Sequence, residues 1–511
     1  MKRDGAQKSL WQNGIGDYTT KAARDLNAIF DVVLVGGGIT GIVTGLLLQK
    51  SGKNCLIAEA HSLCFGTTGG TTAHLNTFFD TTYQQIEKDF GKEGAKLAAK
   101  AARQALDLVK ENVQTYGIDC SHEEKDGFVY AQDEKQVKEL QDMLEASLDA
   151  GVSVAFSGAI PVPIEFEKAI TYPGQAQFHP TKYVMALANA FEEAGGVILQ
   201  NCRVDAVREE TPLVIETSMG ILKSEKLIWA THIPPGINVL HFRNAPYRSY
   251  AMAVTLKDGR YPTGLAYDMY DPYHYYRTQE VGGKQYLIAG GEDHKTGHEP
   301  NTEKCFLNLE AYLRKYFDID EVAAKWSSEY FEPSDGIAYI GHLPGSSENV
   351  YVASGYGGNG MTYSHIAART LHDLIVRGQS EFGDLYNPGR IKPVAGFAAF
   401  VKENADVVKE FIGKRINQQK MSDLADLAPG DATVVKYEGE SVAIYKNNEG
   451  RLFAVNPVCT HAKCIVAWNR AEQSWDCPCH GARYDVEGTV LTGPARKNLE
   501  VISLEDLVAD E

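Results

Sequence analysis

The chain has 511 residues, and at about 150 residues per domain it predicts roughly three structural units with sizeable cores. Its 44% hydrophobic, 23% charged and 10% aromatic residues exclude a disordered or fibrous chain. Fifty basic against 67 acidic side chains leave a formal charge of −17, which on average repels nucleic acid and anionic lipid, so no nucleic-acid partner is expected. The basic residues Lys2, Arg3 and Lys8 have no apolar run behind them, so no secretory leader is expected. The most apolar window, 32–48, is interrupted by five glycines, so no transmembrane segment is expected either. The location these features predict is the cytoplasm, with a peripheral place at a membrane compatible with them.

Residues 1–29 read as an N-terminal extension. Residues 30–35 form a short β-branched and aromatic run, followed by Gly36-Gly37-Gly38-Ile39-Thr40-Gly41 and an apolar helical stretch to Lys50. A second strand, 54–58, ends in Glu59, about twenty residues beyond the glycine turn. The pattern predicts a βαβ nucleotide-binding unit. Stretches 94–116 and 134–150 carry Ala, Leu, Lys and Glu at helical spacing and predict amphipathic surface helices. Pro180 opens a further helix that Gly195 stops, and strand-like segments dominate 197–331. Residues 381–422 predict a linker containing one amphipathic helix, 397–415. Beyond it, 423–511 reads as a small all-β module with short strands and tight turns.

Gly36, Gly38 and Gly41 make G-x-G-x-x-G. The first glycine permits the tight turn, the second lets backbone approach a pyrophosphate, and the third lets helix pack on strand. The helix N-terminus then faces phosphate charge, and Glu59 is placed to accept from ribose hydroxyls. A glycine-rich turn of an unrelated α/β protein is the alternative reading of these six residues.

Further motifs identify the dinucleotide. Gly36–Gly41 with Glu59, the stretch from Gly66 through Thr67, Thr68, Thr71 and Thr72 to His74, Asp335 to Gly341, and Gly355 to Thr362 together resemble the FAD-dependent amine and amino-acid oxidoreductases of the D-amino-acid oxidase type. The likeness spans about 31–377. It implies FAD in a discontinuous Rossmann-type α/β domain, and a substrate domain on an antiparallel sheet, together filling 30–380. It also implies that Thr67, Thr68, Thr71 and Thr72 approach pyrophosphate and flavin, and that Val204 or Val207 flanks adenine. The loop of Gly357, Gly358, Asn359, Gly360, Met361 and Thr362 opens a helix, so its bare N–H groups and positive dipole end suit the flavin edge that gains charge on reduction.

Nine cysteines are too few for a disulfide scaffold, yet four fall between Cys459 and Cys479. Cys459-Thr460-His461 and, fifteen residues on, Cys477-Pro478-Cys479-His480 give C-x-H and C-x-x-H. Two thiolates on one iron and two imidazoles on the other is Rieske [2Fe–2S] ligation. Zinc accepts the same residue types, although C-x-H is tighter than its usual spacing. Residues from about 423 to 507 resemble Rieske domains of respiratory and photosynthetic complexes. That resemblance implies a Cys464–Cys479 disulfide, with two free thiols as the alternative, and a covering loop at Gly493-Pro494-Ala495. Tyr484 matches a tyrosine that donates to a cluster ligand, but Ala482 stands where those proteins carry a donor serine. One fewer hydrogen bond predicts a potential below respiratory Rieske centres and above all-cysteine ferredoxins.

The combination predicts a dehydrogenase acting on the CH–NH group of a small amine or amino-acid-like substrate, with electrons leaving through the cluster to an external acceptor. Two alternatives are a reductase fed by another donor and a redox-responsive interaction protein. Family members often hold a substrate carboxylate with a basic side chain, but Tyr330-Phe331-Glu332-Pro333 has no arginine. Arg277 and Tyr276, in the tyrosine-rich stretch 273–277, are candidates for substrate binding, and His74, His179 and His294 for acid–base work. Structural roles are the alternative for each.

Overall fold

A computed structural model describes residues 3–21, 26–390, 419–420, 427–437 and 440–503. The helix expected over 397–415 lies outside the described residues.

Val32-Val33-Leu34-Val35 is an unbroken apolar run, as a strand covered on both faces requires, and all four residues are buried. The strand, Ile29–Val35, starts one residue earlier than the sequence suggests. It pairs in parallel with Cys55–Ala58 on one side and Gly220–Trp229 on the other, inside an eight-stranded sheet. Val197–Leu199 and Val350–Ser354 extend this sheet in parallel, and Tyr339–His342 closes one edge antiparallel. The helices Ile39–Lys50 and Gly360–Arg377 pack together over it, so the glycine turn and the 357–362 loop arrive side by side although about 320 residues separate them.

A nine-stranded, largely antiparallel sheet forms the second layer. Its long strands are Asn244–Leu256, Lys284–Lys295 and Ile319–Pro333, with Tyr275–Val281 beside them. The helix Thr302–Tyr316 interrupts the stretch read as strands. Its buried Cys305, Phe306, Leu309 and Leu313 recur at helical spacing and cover one sheet face. The helix expected from residue 94 begins at Tyr83 and runs to Thr115, with a break at Gly91. It is amphipathic, as expected: alanines 95, 98, 99, 101, 102 and 105 are buried, while Lys96, Lys100, Arg103, Asp107 and Lys110 on the other face are exposed. The helices Glu134–Asp149 and Pro180–Glu193 fall where expected, the latter capped by His179.

The C-terminal region is all β, with two four-stranded sheets. The strand Gln419–Lys420 joins the first of them, inside the stretch read as linker. Residues 3–12 are no loose extension. Trp11 is fully buried beside Trp326, and Asp4 reaches the C-terminal region. Among the described residues no helix is long and apolar enough to cross a membrane.

Candidate functional site

The turn after the first strand is shaped by what glycine lacks. Gly36 has φ +116°, and a Cβ there would overlap the Ala230 carbonyl; a Cβ on Gly41 would overlap the Gly36 carbonyl. Glu59 locks the turn by accepting from Gly37 N at 2.6 Å and His61 N at 2.8 Å. Burial pushes its carboxyl above the usual range, and those two N–H donors oppose the rise. The helix behind is not capped by the side chain of its cap residue, Gly38, and Ile39 N is met instead by Thr68 Oγ1 at 3.1 Å.

From this turn a cavity of about 860 Å³ runs between the two large sheets. Gly36, Gly38, Glu59, Thr67, Thr68, Thr71, Thr72, Val204, Gly357, Gly358, Asn359, Gly360 and Met361 all line it. Gly41 and Thr362 stand behind the wall. Thr362 Oγ1 donates to the carbonyl of Asn76, which does line the cavity. The helix Gly360–Arg377 also begins without a side-chain cap. Two helix N-termini and a glycine cradle on one cavity are what a dinucleotide requires, so these residues fit FAD.

Four substrate-site expectations need correction. Arg277 is fully buried behind the wall. Its Nη1 donates to the Thr72 and Ala73 carbonyls, each at 2.8 Å, and its Nη2 to Gln279, so it shapes backbone and presents no charge to a ligand. Tyr276 points to the opposite face of its strand, into the core with Tyr130 and Leu287. His179 and His294 are occupied, by Lys182 N and by Tyr250 OH respectively, and neither lines the cavity. His74 does line it. Burial, with Arg277 nearby, pushes its pKa down to about 3, so the ring is neutral at physiological pH.

The wall also holds Tyr273 and Tyr275 of the tyrosine-rich stretch, together with three residues that sequence reasoning passed over, Asp80, Asp293 and Tyr330. They come from four separate segments and share no local motif. Asp80 Oδ2 accepts from Gly358 N at 2.8 Å, and Asn359 Oδ1 accepts from Asp80 N at 2.9 Å, tying this carboxylate to the 357–362 loop.

In the C-terminal region Cys459 and Cys477 sit side by side in the core. The His461 and His480 rings lie 5.0 Å apart and perpendicular. His461 Nδ1 and both ring nitrogens of His480 are buried without a hydrogen-bond partner. Orphaned nitrogens beside paired thiols are what remains when a metal's ligands are present without the metal. Burial holds the His480 pKa down near 4, keeping the ring neutral and able to coordinate. Tyr484 OH lies 3.3 Å from Cys459 Sγ, and Cys464 and Cys479 form a disulfide. The four residues fit a Rieske cluster.

The two sites share a wall. Phe331 lines the cavity, and its ring edge would lie 3.0 Å from a Cβ placed on Gly481, next to His480. The covering loop, through Gly493 and Ala495, lines the cavity as well, and Pro494 O accepts from Gly236 N. A buried ionic cluster runs along the same seam: Asp4–Arg483 at 3.0 Å, Arg483–Asp476 at 3.1 Å and Arg248–Asp476 at 3.5 Å.

Comparison with known families decides the class. Residues 31–374 match the model of the DAO family of FAD-dependent oxidoreductases, and residues 417–503 match the Rieske [2Fe-2S] domain. The chain belongs to the DAO family of FAD-dependent oxidoreductases. It is an FAD enzyme that carries a Rieske [2Fe–2S] domain in the same polypeptide. YhfW of Bacillus subtilis (strain 168), whose name describes a Rieske 2Fe-2S iron-sulfur protein, is 31% identical over 98% of both chains. Gamma-glutamylputrescine oxidoreductase of Escherichia coli (strain K12) is 24% identical over 70% of this chain and 85% of its own. Among solved structures, glycine oxidase from Geobacillus kaustophilus superposes with a TM-score of 0.58 at 19% identity, covering 71% of this chain and 99% of that one, which establishes the shared fold.

Proposed function

We propose that this oxidoreductase oxidises the carbon next to nitrogen in a small amine or amino-acid-like substrate and sends the electrons singly through its Rieske centre to an external acceptor. The observation that carries the reading is Phe331, one side chain that faces both the FAD cavity and the cluster loop. The E. coli relative, whose name specifies an amine, supports the substrate class.

When bound, FAD supplies a two-electron hydride acceptor and the cluster a one-electron carrier. The substrate C–H bond breaks with its electron pair, nitrogen releases a proton as C=N forms, and water then displaces nitrogen to give a carbonyl and ammonia. In this reading the turn from Gly36 to Gly41 cradles the pyrophosphate and Glu59 holds the ribose. The 357–362 loop supports the flavin edge. Cys459 and Cys477 hold one iron, His461 and His480 the other. Residues 30–380 make the oxidoreductase, and the Rieske region from about residue 417 is the electron carrier.

The test is anaerobic stopped-flow mixing of the holoenzyme with a library of amines and amino acids, followed by electron paramagnetic resonance. The expected result is flavin bleaching followed by a Rieske signal within the same turnover. Full flavin reduction with a cluster that never changes valence overturns the electron route. Failure of every compound to bleach flavin favours a chain fed by another donor.

A further inference from the structure

Resting on the amine-oxidation reading, we infer that Asp80 and Asp293, walled by Tyr273, Tyr275 and Tyr330, form a subsite for a second ammonium group, so that the substrate is an aliphatic diamine or polyamine. The geometry begins at Asp293. Its Oδ2 accepts from Tyr330 OH at 2.9 Å, while Oδ1 is buried with no hydrogen-bond partner. The neighbouring Ser249 hydroxyl is engaged with Tyr275 OH at 3.0 Å. A carboxylate short of donors on a cavity wall calls for a donor from the ligand, and its broad terminal torsion lets either oxygen turn towards one.

Asp80 is exposed, and it lines the cavity. Tyr273 OH lies 3.5 Å from its Oδ1. Burial pushes the Asp293 carboxyl up and the nearby Asp80 adds to the rise, a repulsion that a cation between them relieves. The tyrosine rings add π faces, which attract ammonium. The third acid here, Asp268, is already satisfied by His274, through N at 2.8 Å and Nδ1 at 2.7 Å.

Opposing charge is missing from this end. Among the described residues, the cavity's only arginines are Arg203, bound to Asp205 at 2.7 Å on the Val204 side, and Arg496, which donates to Pro235 O; no lysine lines it. A substrate carboxylate would meet two acids and no guanidinium. The site therefore selects for a second positive charge and against a zwitterion.

The test uses three compounds of one length with the intact holoenzyme: 1,4-diaminobutane, 1-aminobutane and 4-aminobutanoate, with spermidine as a longer polyamine. Anaerobic flavin reduction gives a second-order rate constant for each. The expected order places the diamine or spermidine at least about tenfold above the monoamine, and 4-aminobutanoate last. Asp293→Asn reduces the preference for diamine over monoamine by about tenfold or more. Equal rates across the series, or 4-aminobutanoate ahead of both polyamines, overturn the subsite while amine oxidation stands. The wild-type series decides this even if the variant fails to fold. No bleaching by any amine overturns the oxidation reading, and the subsite with it.

Discussion

His461 Nε2 donates to the main-chain oxygen of Gly236 at 3.1 Å, across the seam between the FAD-binding and Rieske regions. A carbonyl can only accept, so Nε2 carries the proton and the orphaned Nδ1 keeps its lone pair for iron. The interdomain contact thus fixes the tautomer that the cluster needs. It also turns the histidine edge of the cluster towards the flavin enzyme, with His241 packed 4.6 Å from the His461 ring.

Gly481 packs against the flavin enzyme behind that edge. Its φ is +75°, and a Cβ would meet Pro246 at 2.9 Å and Phe331 at 3.0 Å. Gly481→Ala is expected to cost about 1–3 kcal/mol and to lift the cluster loop off Phe331. Stopped-flow should then show normal flavin bleaching with slower appearance of the reduced cluster. An unchanged interval between the two events would remove Phe331 from the route.

Glu59 is expected to govern FAD retention. Glu59→Ala deletes the acceptor of Gly37 N and His61 N together with the proposed ribose contact. Charge-assisted bonds of this kind are worth about 1.5–3 kcal/mol each, so FAD affinity should fall by about tenfold or more. Fluorescence of released flavin after gel filtration measures this, and the Rieske spectrum should be unaffected.

Arg483 neutralises two buried acids, Asp4 and Asp476. Burial works against ionisation of both, and the surrounding arginines outweigh it, holding both carboxyls below their ordinary value. Their folded values are depressed, so their contribution is complete above the ordinary Asp value of 3.8 and is lost as pH falls through the lower folded values. Arg483→Leu leaves Asp4 to Arg3 and Asp476 to Arg248, and should destabilise the docked Rieske region by up to about 3 kcal/mol. Thermal loss of the cluster's visible circular dichroism reports it. A midpoint unchanged from wild type would show that the cluster of charges holds nothing in place.

Asp293 supplies a pH signature. Burial pushes its carboxyl up to about 7; Asp80 adds to the rise, while Ser249, Tyr330 and His274 oppose it. The folded protein therefore keeps a proton that the unfolded chain has released, and the group opposes folding increasingly as pH climbs from 3.8 towards 7. A bound diamine favours the ionised form. At pH 6, calorimetry of diamine binding to enzyme whose flavin has first been reduced, so that no oxidation follows, in two buffers of different ionisation enthalpy should show net proton release, and Asp293→Asn should abolish it. Asp80, Tyr273 and Tyr275 face the same space, so the variant is needed to attribute the proton.

The parts of the site that lie close together in sequence were legible there. The glycine turn, Glu59 and the two cysteine–histidine pairs each need particular residue types at fixed short spacing, and the chain carries them so. Arg277 misled because its tyrosine neighbours suggested an open cage. It lies on the same side of its strand as Tyr275 but two residues further along, where the Thr72 and Ala73 carbonyls claim it. Asp80, Asp293 and Tyr330 leave no local trace, because only strand pairing in the nine-stranded sheet and packing of the 357–362 loop bring them together. The helix Thr302–Tyr316 did leave a trace, Cys305-Phe306 with Leu309 and Leu313, hidden among β-rich neighbours.

Asp4 finds Arg483, and Ala6 N finds the Glu472 carbonyl, near opposite ends of the polypeptide. During synthesis the opening residues emerge from the ribosome hundreds of codons before their partners exist. They are finally seated only after translation of the Rieske region, so the order of manufacture leaves the joint between the two redox modules to be closed last.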